Sequence, residues 1–180
     1  DSIRDYLKKK REEGVKFTHM DVIIAAYLKV LKKHPEFNRF VVNRKIYQRN
    51  EITISLTILK DRDEDGVVNE TVIKVKFDVD DTIYDVNRKM NEEITRNREA
   101  DEKNFTDKIA RFFLAIPFFP GTAVGFVKLL DKVGLLPKFI LDALPFHTSL
   151  FITNMASIRM GYVYHHIYDF GTTSIFMSIG

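Results

Sequence analysis

His147 and Ser149 place a potential general base and a hydroxyl nucleophile near the start of a predicted strand, Thr148–Asn154. In enzymes that use such a pair, the histidine takes the serine proton and an acid orients the imidazole. Residues two apart on a strand share a face of the sheet, but we find no acid in the sequence that would orient this histidine. A nucleophilic Ser–His site is therefore not the favoured interpretation.

A carboxylate-rich stretch could bind a cation. Asp61, Asp63 and Asp65 supply carboxylates at alternate positions. Gly66 follows them, as in the first half of a calcium-binding loop. Position twelve of such a loop should be a bidentate Glu, and here it is Val72. Because the flanking residues are typical of strands, a solvated hairpin turn is the preferred interpretation.

The stretch from His165 to Asp169 contains two histidines and an aspartate. A metal site on His165 and Asp169 needs a third ligand, and we find none close by in the sequence. The chain has no Cys, which excludes disulfides, thiolate metal sites and a Cys nucleophile. We therefore expect no metal, and the lack of Cys agrees with a cytoplasmic location.

Length and charge exclude several classes of protein. The 180 residues fit one domain, and the net charge of +3 is too small and dispersed for a nucleic-acid-binding face. The densest basic run, Lys8–Arg11, is followed at once by Glu12 and Glu13 and is typical of a solvated helix end. We therefore expect no nucleic-acid partner.

The residues named so far must be positioned by a mixture of helices and strands. Thr18 and Asp21 have the spacing of a capping box, ahead of an apolar helix Met20–Leu31 that we expect to be buried on most faces. Further helices are predicted from Thr82 and from about Thr122. Strands that do not alternate regularly with helices favour an α+β fold, with a mixed sheet flanked by helices. The predicted strands are Arg39–Val42, Lys45–Arg49, Ile52–Ile58, Thr71–Phe77, Thr148–Asn154, Tyr162–Gly171 and Ser174–Ile179.

Four segments are similar to patterns that occur together, in this order, in one enzyme family. Lys33–Asn38 is similar to the family's "K-H-P-x-x-N" turn, and Ile52–Ile58 to its "V-N-I-G-I-A-V" strand. Phe151–Ala156 is similar to its "T-I-S-N-L-G" strand, and Gly171–Gly180 to its "P-P-Q-A-A-I-L-G-V-G" strand. On these segments the chain resembles the catalytic domain of the dihydrolipoamide acyltransferases, in the chloramphenicol acetyltransferase-like superfamily. Thr71–Tyr84 is closer to chloramphenicol acetyltransferase itself.

The resemblance implies a two-layer sandwich that assembles into homotrimers, with substrate channels between subunits. The implied reaction moves an acyl group between coenzyme A, as its thioester, and a small thiol or alcohol acceptor. In the family a His deprotonates the acceptor, and a hydroxyl from the neighbouring subunit stabilises the oxyanion. Thr153 stands at the position of that hydroxyl, although a Thr is also common in strands for its β-propensity. Asn154 matches the adjacent Asn as a supporting residue, and His147 and Ser149 are implied to lie near the substrate channel.

The family's base lies in a His-x-x-x-Asp-Gly motif on the strand after the one that ends here at Gly180, and the chain does not contain it. We therefore expect the chain to be a piece of the domain that lacks residues at both ends. His165 and Asp169 have the right interval, but Phe170 stands before Gly171 and the segment precedes the wrong strand. Two functions stay open: an acyltransferase, or an inactive homologue that serves as a ligand-binding or assembly module.

Residues 105–147 form a predicted helical insertion without a counterpart of this length in the family. Residues 112–127 are uncharged, which is short of the roughly 20 residues that span a bilayer. An alternative function is peripheral membrane association, in which apolar side chains of this insertion enter the lipid interface. The favoured interpretation is that the helices cover the sheet or line an acyl pocket. The side chains considered for lipid contact are Phe112, Phe113, Phe118 and Phe119.

Overall fold

The computed structural model describes residues 2–62, 68–99, 120–167 and 169–180. These residues form helices and a mixed sheet, which confirms the predicted α+β class. The described helices are α1 (Ser2–Glu12), α2 (His19–Lys33), α3 (Ile83–Glu99), α4 (Pro120–Val133) and α5 (Lys138–Ala143), with 3-10 turns at Pro35–Asn38 and Met155–Ile158. The described strands are β1 (Arg39–Val42), β2 (Lys45–Gln48), β3 (Ile52–Arg62), β4 (Val68–Phe77), β5 (Leu150–Asn154) and β6 (Phe176–Ile179).

The main sheet has the strand order β4-β3-β5-β6, and β1 and β2 form a separate hairpin. β3 runs antiparallel to β4 and parallel to β5, with Ile54 opposite Val75 on one side and Leu150 on the other. β6 is parallel to β5, with Thr153 opposite Ser178. The sheet is therefore mixed, with its parallel half at the C-terminal end of the chain.

One face of the sheet is apolar and packs against α2 and α3. Because side chains on a strand alternate between faces, Ile54 and Leu56 enter this core while Ser55, between them, faces the other way. The alternation predicted for Ile52–Ile58 is confirmed, and the opposite face carries hydroxyls and lysines. Removing this apolar surface from water is the main stabilising term. The buried core residues are Ile24, Tyr27, Leu28, Leu31, Ile54, Leu56, Ile73, Val75, Phe77, Val86, Met90, Leu150 and Ile152.

Helix α2 begins with the predicted capping box. The hydroxyl of Thr18 accepts a hydrogen bond from the backbone N–H of Asp21, whose carboxylate accepts one from the N–H of Thr18. The helix ends at Lys33, where Pro35 prevents its continuation. Within Met20–Leu31, Ala26, Lys29 and Val30 form one exposed stripe, and the other residues are buried or half-buried. The predicted burial on most faces is therefore confirmed outside that stripe.

The predicted strand Tyr162–Gly171 was wrong for the residues described there. Its aromatic residues suit a strand, but Tyr162 and Tyr164 lie exposed and no neighbouring strand supplies a hydrogen-bond ladder. The segment contacts β6 through a hydrogen bond from the N–H of Val163 to Ser178 Oγ and through the stacking of the His165 ring on Phe176. β-Propensity without a pairing partner therefore leaves an irregular segment.

Several predicted features lie outside the described residues. Asp63 and Asp65 of the candidate cation loop are among them, as are residues 105–119 of the predicted insertion. Of the helices that the structure describes, none has the length and apolar character to cross a bilayer.

Candidate functional site

A cleft of about 480 Å³ lies on the polar face of the sheet, opposite the core. It is bounded by the β1–β2 hairpin, the start of β3, β4 and the segment that runs from α4 to β5. Because β3 and β4 alternate, Thr53 and Lys74 point into this side. The ionisable groups at its floor are Arg49, Lys74, Asp131 and His147.

His147 is buried at the cleft floor, with 6% of its surface exposed. Its Nδ1 lies 3.3 Å from Thr172 Oγ1, and its Nε2 lies 3.3 Å from Asp131 Oδ1. The second contact does not have hydrogen-bond geometry, so this buried Nε2 has no hydrogen-bond partner among the described residues. A buried polar atom in that state marks a place where a further polar group fits.

Asp131 reaches this position from the last turn of α4. Its Oδ2 accepts a hydrogen bond of 2.7 Å from the backbone N–H of Gly171. Gly171 has φ +92°, and a Cβ added there would lie 2.4 Å from the carbonyl oxygen of Phe146. Only glycine therefore fits, and this close approach brings Thr172 beside His147.

Burial lowers the pKa of His147 well below its usual value, and the nearby charges of Lys74 and Arg49 lower it further. The carboxylate of Asp131 acts in the opposite direction but does not outweigh burial. The imidazole is therefore neutral at pH 7 and is a weak base, since a general base works best with a pKa near the working pH.

Arg49 follows β2 and lies partly buried over the ring of Phe40, with 4.5 Å between the guanidinium carbon and the ring centroid. Its Nη2 donates hydrogen bonds to the backbone carbonyl of Thr172 and, at 3.0 Å, to Thr172 Oγ1. Burial lowers the pKa of Arg49 to about 10, so it stays charged at neutral pH. This arginine therefore ties the β2 end to the segment that carries Gly171.

Lys74 reaches the cleft from β4, opposite Ser55 of β3. Its Nζ donates hydrogen bonds to the carbonyl oxygens of Leu141, at 2.8 Å, and Leu144, at 3.4 Å. Burial lowers the pKa of Lys74 to about 8, and the charge of Arg49 contributes to the decrease while that of Asp142 opposes it. Arg49 thus lies close enough to disfavour the charged form of Lys74.

Ser149 lies beside the cleft but has a structural role. Its hydroxyl accepts a hydrogen bond from the N–H of Thr53 at 3.2 Å, and its own N–H donates to the Thr53 carbonyl at 2.8 Å. Its carbonyl accepts from Tyr27 Oη at 3.3 Å. The acid that the sequence did not show beside His147 is Asp131, but no described hydrogen bond joins His147 to Ser149. A Ser–His–Asp relay is therefore not assembled.

Thr153 and Asn154 lie at the other end of β5 and do not line the cleft. Thr153 is four residues beyond Ser149, about 13 Å along an extended strand. It points to the polar face, is half-buried, and its Oγ1 lies 3.5 Å from Met155 Sδ. Asn154, its neighbour on the strand, points to the opposite face. The role of each remains a prediction.

His165 and Asp169 lie on an exposed loop before β6, where the His165 ring stacks on Phe176 with 4.7 Å between centroids. In the parts of the chain that the structure describes, no three His, Cys, Asp or Glu side chains are grouped as metal ligands.

Comparison with known proteins finds similarity to solved structures. No protein-family model matches the sequence, and no curated protein matches it. Among solved structures, the chain is similar to a probable dihydrolipoamide acetyltransferase from Listeria monocytogenes 4b F2365, with 18% identity and a TM-score of 0.47. The match covers 89% of this chain and 49% of that one. This chain therefore spans about half the length of the protein it resembles.

Proposed function

We propose that this chain is part of an acyltransferase domain that moves an acyl group between coenzyme A and a thiol or hydroxyl acceptor. The observation that carries the proposal is the position of Thr153. Its hydroxyl lies on the sheet face that α2 and α3 leave uncovered, and among the described residues its partner is the thioether sulfur of Met155, at 3.5 Å. A half-buried hydroxyl without a strong partner is suited to donate to an oxyanion.

The reaction also needs a base that takes the proton of the acceptor. His147 does not suit this role, because burial lowers its pKa and it precedes β5 whereas Thr153 lies near the strand's end. In the proposal, the base comes from residues outside this chain or from a neighbouring copy in a trimer. Thr153 then donates to the oxygen of the tetrahedral intermediate, where negative charge develops.

The test uses purified full-length protein, acetyl-CoA, and reduced lipoamide or small alcohols as acceptors, with release of free coenzyme A thiol as the readout. We expect Thr153→Val to lower kcat by about 10²–10³-fold, the usual loss for one oxyanion donor, and Thr153→Ser to keep most of it. Thr57→Val is the matched control, since Thr57 lies on the same sheet face of β3. Equal turnover by the Thr153→Val and Thr57→Val variants would remove Thr153 from the mechanism.

A second candidate function is a ligand-binding module that lacks catalysis. The observation that favours it is the cleft around Arg49, Lys74 and His147, which lies at the opposite end of β5 from Thr153. Absence of turnover with every acceptor, together with saturable ligand binding by the same protein, would favour the module over the enzyme. Sedimentation of the full-length protein tests the proposed trimer in both cases.

A further inference from the structure

Two cations of the cleft have no anionic partner in the described structure. Neither Arg49 nor Lys74 forms an ion pair with a carboxylate of the described residues, although burial lowers the pKa of both. Removing a charged group from water is costly unless an opposite charge compensates it. Both cations of the cleft are therefore without a directly paired carboxylate among the described residues.

Their hydrogen-bond donors are also incompletely used. A guanidinium has five N–H donors, and within the described ranges both bonds of Arg49 come from Nη2. An ammonium has three donors, and Lys74 gives two described bonds to carbonyl oxygens. The ring of Phe40 covers one face of the guanidinium, so its remaining N–H groups are held in a fixed plane.

The acidic residues of the cleft wall are engaged elsewhere or exposed. Glu51 accepts a hydrogen bond of 2.8 Å from Lys76, and Asp131 accepts one from the N–H of Gly171. Asp142 is exposed on α5 and forms no ion pair with Lys74 among the described residues. Asp142 and Glu51 therefore act on Lys74 only through space, where their charges oppose the decrease of its pKa, and none of the three carboxylates pairs directly with Arg49 or Lys74 among the described residues.

We propose that this cleft binds a small anion, a carboxylate or phosphate group, between the guanidinium of Arg49 and the ammonium of Lys74. The planar fork of an arginine matches two oxygens of either group, and the lysine adds a point charge. The buried Nε2 of His147, without a hydrogen-bond partner in the described structure, offers a further polar contact on the cleft floor. The site does not depend on the acyltransferase proposal, because Thr153 lies outside the cleft.

The direct test is calorimetric titration of the full-length protein with sodium acetate and, separately, with inorganic phosphate, at a constant ionic strength set by NaCl. We expect saturable binding of at least one of the two anions, and the preferred one identifies the ligand as a carboxylate or a phosphate. Lys74→Met should weaken that binding at least tenfold. Lys76→Met is the matched control, since Lys76 lies two residues away on the same face of β4 and pairs with Glu51.

Proton uptake separates binding at Lys74 from a general effect of charge. An anion beside the ammonium favours its charged form, so binding at pH 8.5 should take up protons in the wild type but not in Lys74→Met. Buffers of different ionisation enthalpy measure this uptake. Two results would overturn the proposal: no saturable binding of either anion beyond that in NaCl alone, or equal affinities of wild type and Lys74→Met.

Discussion

The titration of Lys74 gives the most direct test of how strongly the cleft is shielded from water. Burial lowers its pKa from the usual 10.5 to about 8. The folded protein therefore loses this proton near pH 8, whereas the unfolded chain keeps it until about pH 10.5. Because the unfolded state binds more protons between these values, the contribution of Lys74 to the stability of the wild type rises with pH across this window.

The magnitude follows from the same two values. A pKa difference of one is worth about 1.4 kcal/mol, so the difference of about 2.5 for a fully shielded group would correspond to about 3.5 kcal/mol. Lys74 keeps part of its surface in solvent, and screening lowers the effect to about 1 kcal/mol. At neutral pH this free energy opposes folding. It is lost as the pH rises from about 8, where the folded protein releases the proton of Lys74, to about 10.5, where the unfolded chain does.

The assay is urea unfolding of wild type and Lys74→Met at pH 7.5 and at pH 10. The difference between the two proteins removes the titration of all other groups, and we expect it to shift by about 1 kcal/mol in favour of the wild type at the higher pH. Lys76→Met serves as control, because its hydrogen bond to Glu51 raises the pKa of Lys76. A shift for Lys74→Met smaller than about 0.3 kcal/mol, the usual precision of such differences, would refute the shielding of this lysine.

Two further predictions concern His147 on the cleft floor and Gly171, which precedes Thr172 beside it. Burial lowers the pKa of His147, so on acidification the unfolded chain binds a proton at this residue before the folded protein does. Relative to His147→Gln, the wild type should therefore lose stability as the pH falls below about 6.5. The same difference in the free energy of unfolding between the two proteins at pH 7.5 and at pH 5 would contradict this. Gly171→Ala should lower the free energy of unfolding by more than about 2 kcal/mol, because its Cβ would overlap the Phe146 carbonyl. Gly125→Ala in α4, where a Cβ has open space, should stabilise the protein by up to about 1 kcal/mol; equal melting temperatures for the two variants would contradict the packing described around Gly171.

Local patterns predicted much of the fold. The capping box at Thr18 and the alternation of Ile52–Ile58 depend on neighbours in the chain, and both are confirmed. Helix α2 shows the limit of such patterns: its apolar composition predicted burial on most faces, but did not identify Val30, which is 42% exposed, as part of the exposed stripe. The segment after Tyr162 shows the same limit, since pairing of strands is a long-range property.

The cleft could not be predicted in this way. Asp131 and His147 are brought together by the end of α4 and by the approach of Gly171 to the Phe146 carbonyl, and neither contact leaves a sequence motif. Arg49 is one of 28 basic residues, and only its tertiary environment distinguishes it. The one signal in the sequence was Gly171 itself, because glycine is the residue type that allows a left-handed backbone and a tight approach of two backbones.

The pairing of β3 with β5 also has a consequence for how the chain folds. β3 and β4 are neighbours in sequence and can form a hairpin early, whereas Thr53 and Ser149 meet across 96 positions. Closing such a long loop is slow, so the parallel half of the sheet should assemble last. Until then one edge of β3 stays open to other nascent chains, which is a route to aggregation during synthesis. Pulse-labelled hydrogen exchange would show it as protection of the Val75 amide before that of Ser149, whose N–H donates to the Thr53 carbonyl of β3, and simultaneous protection would rule it out.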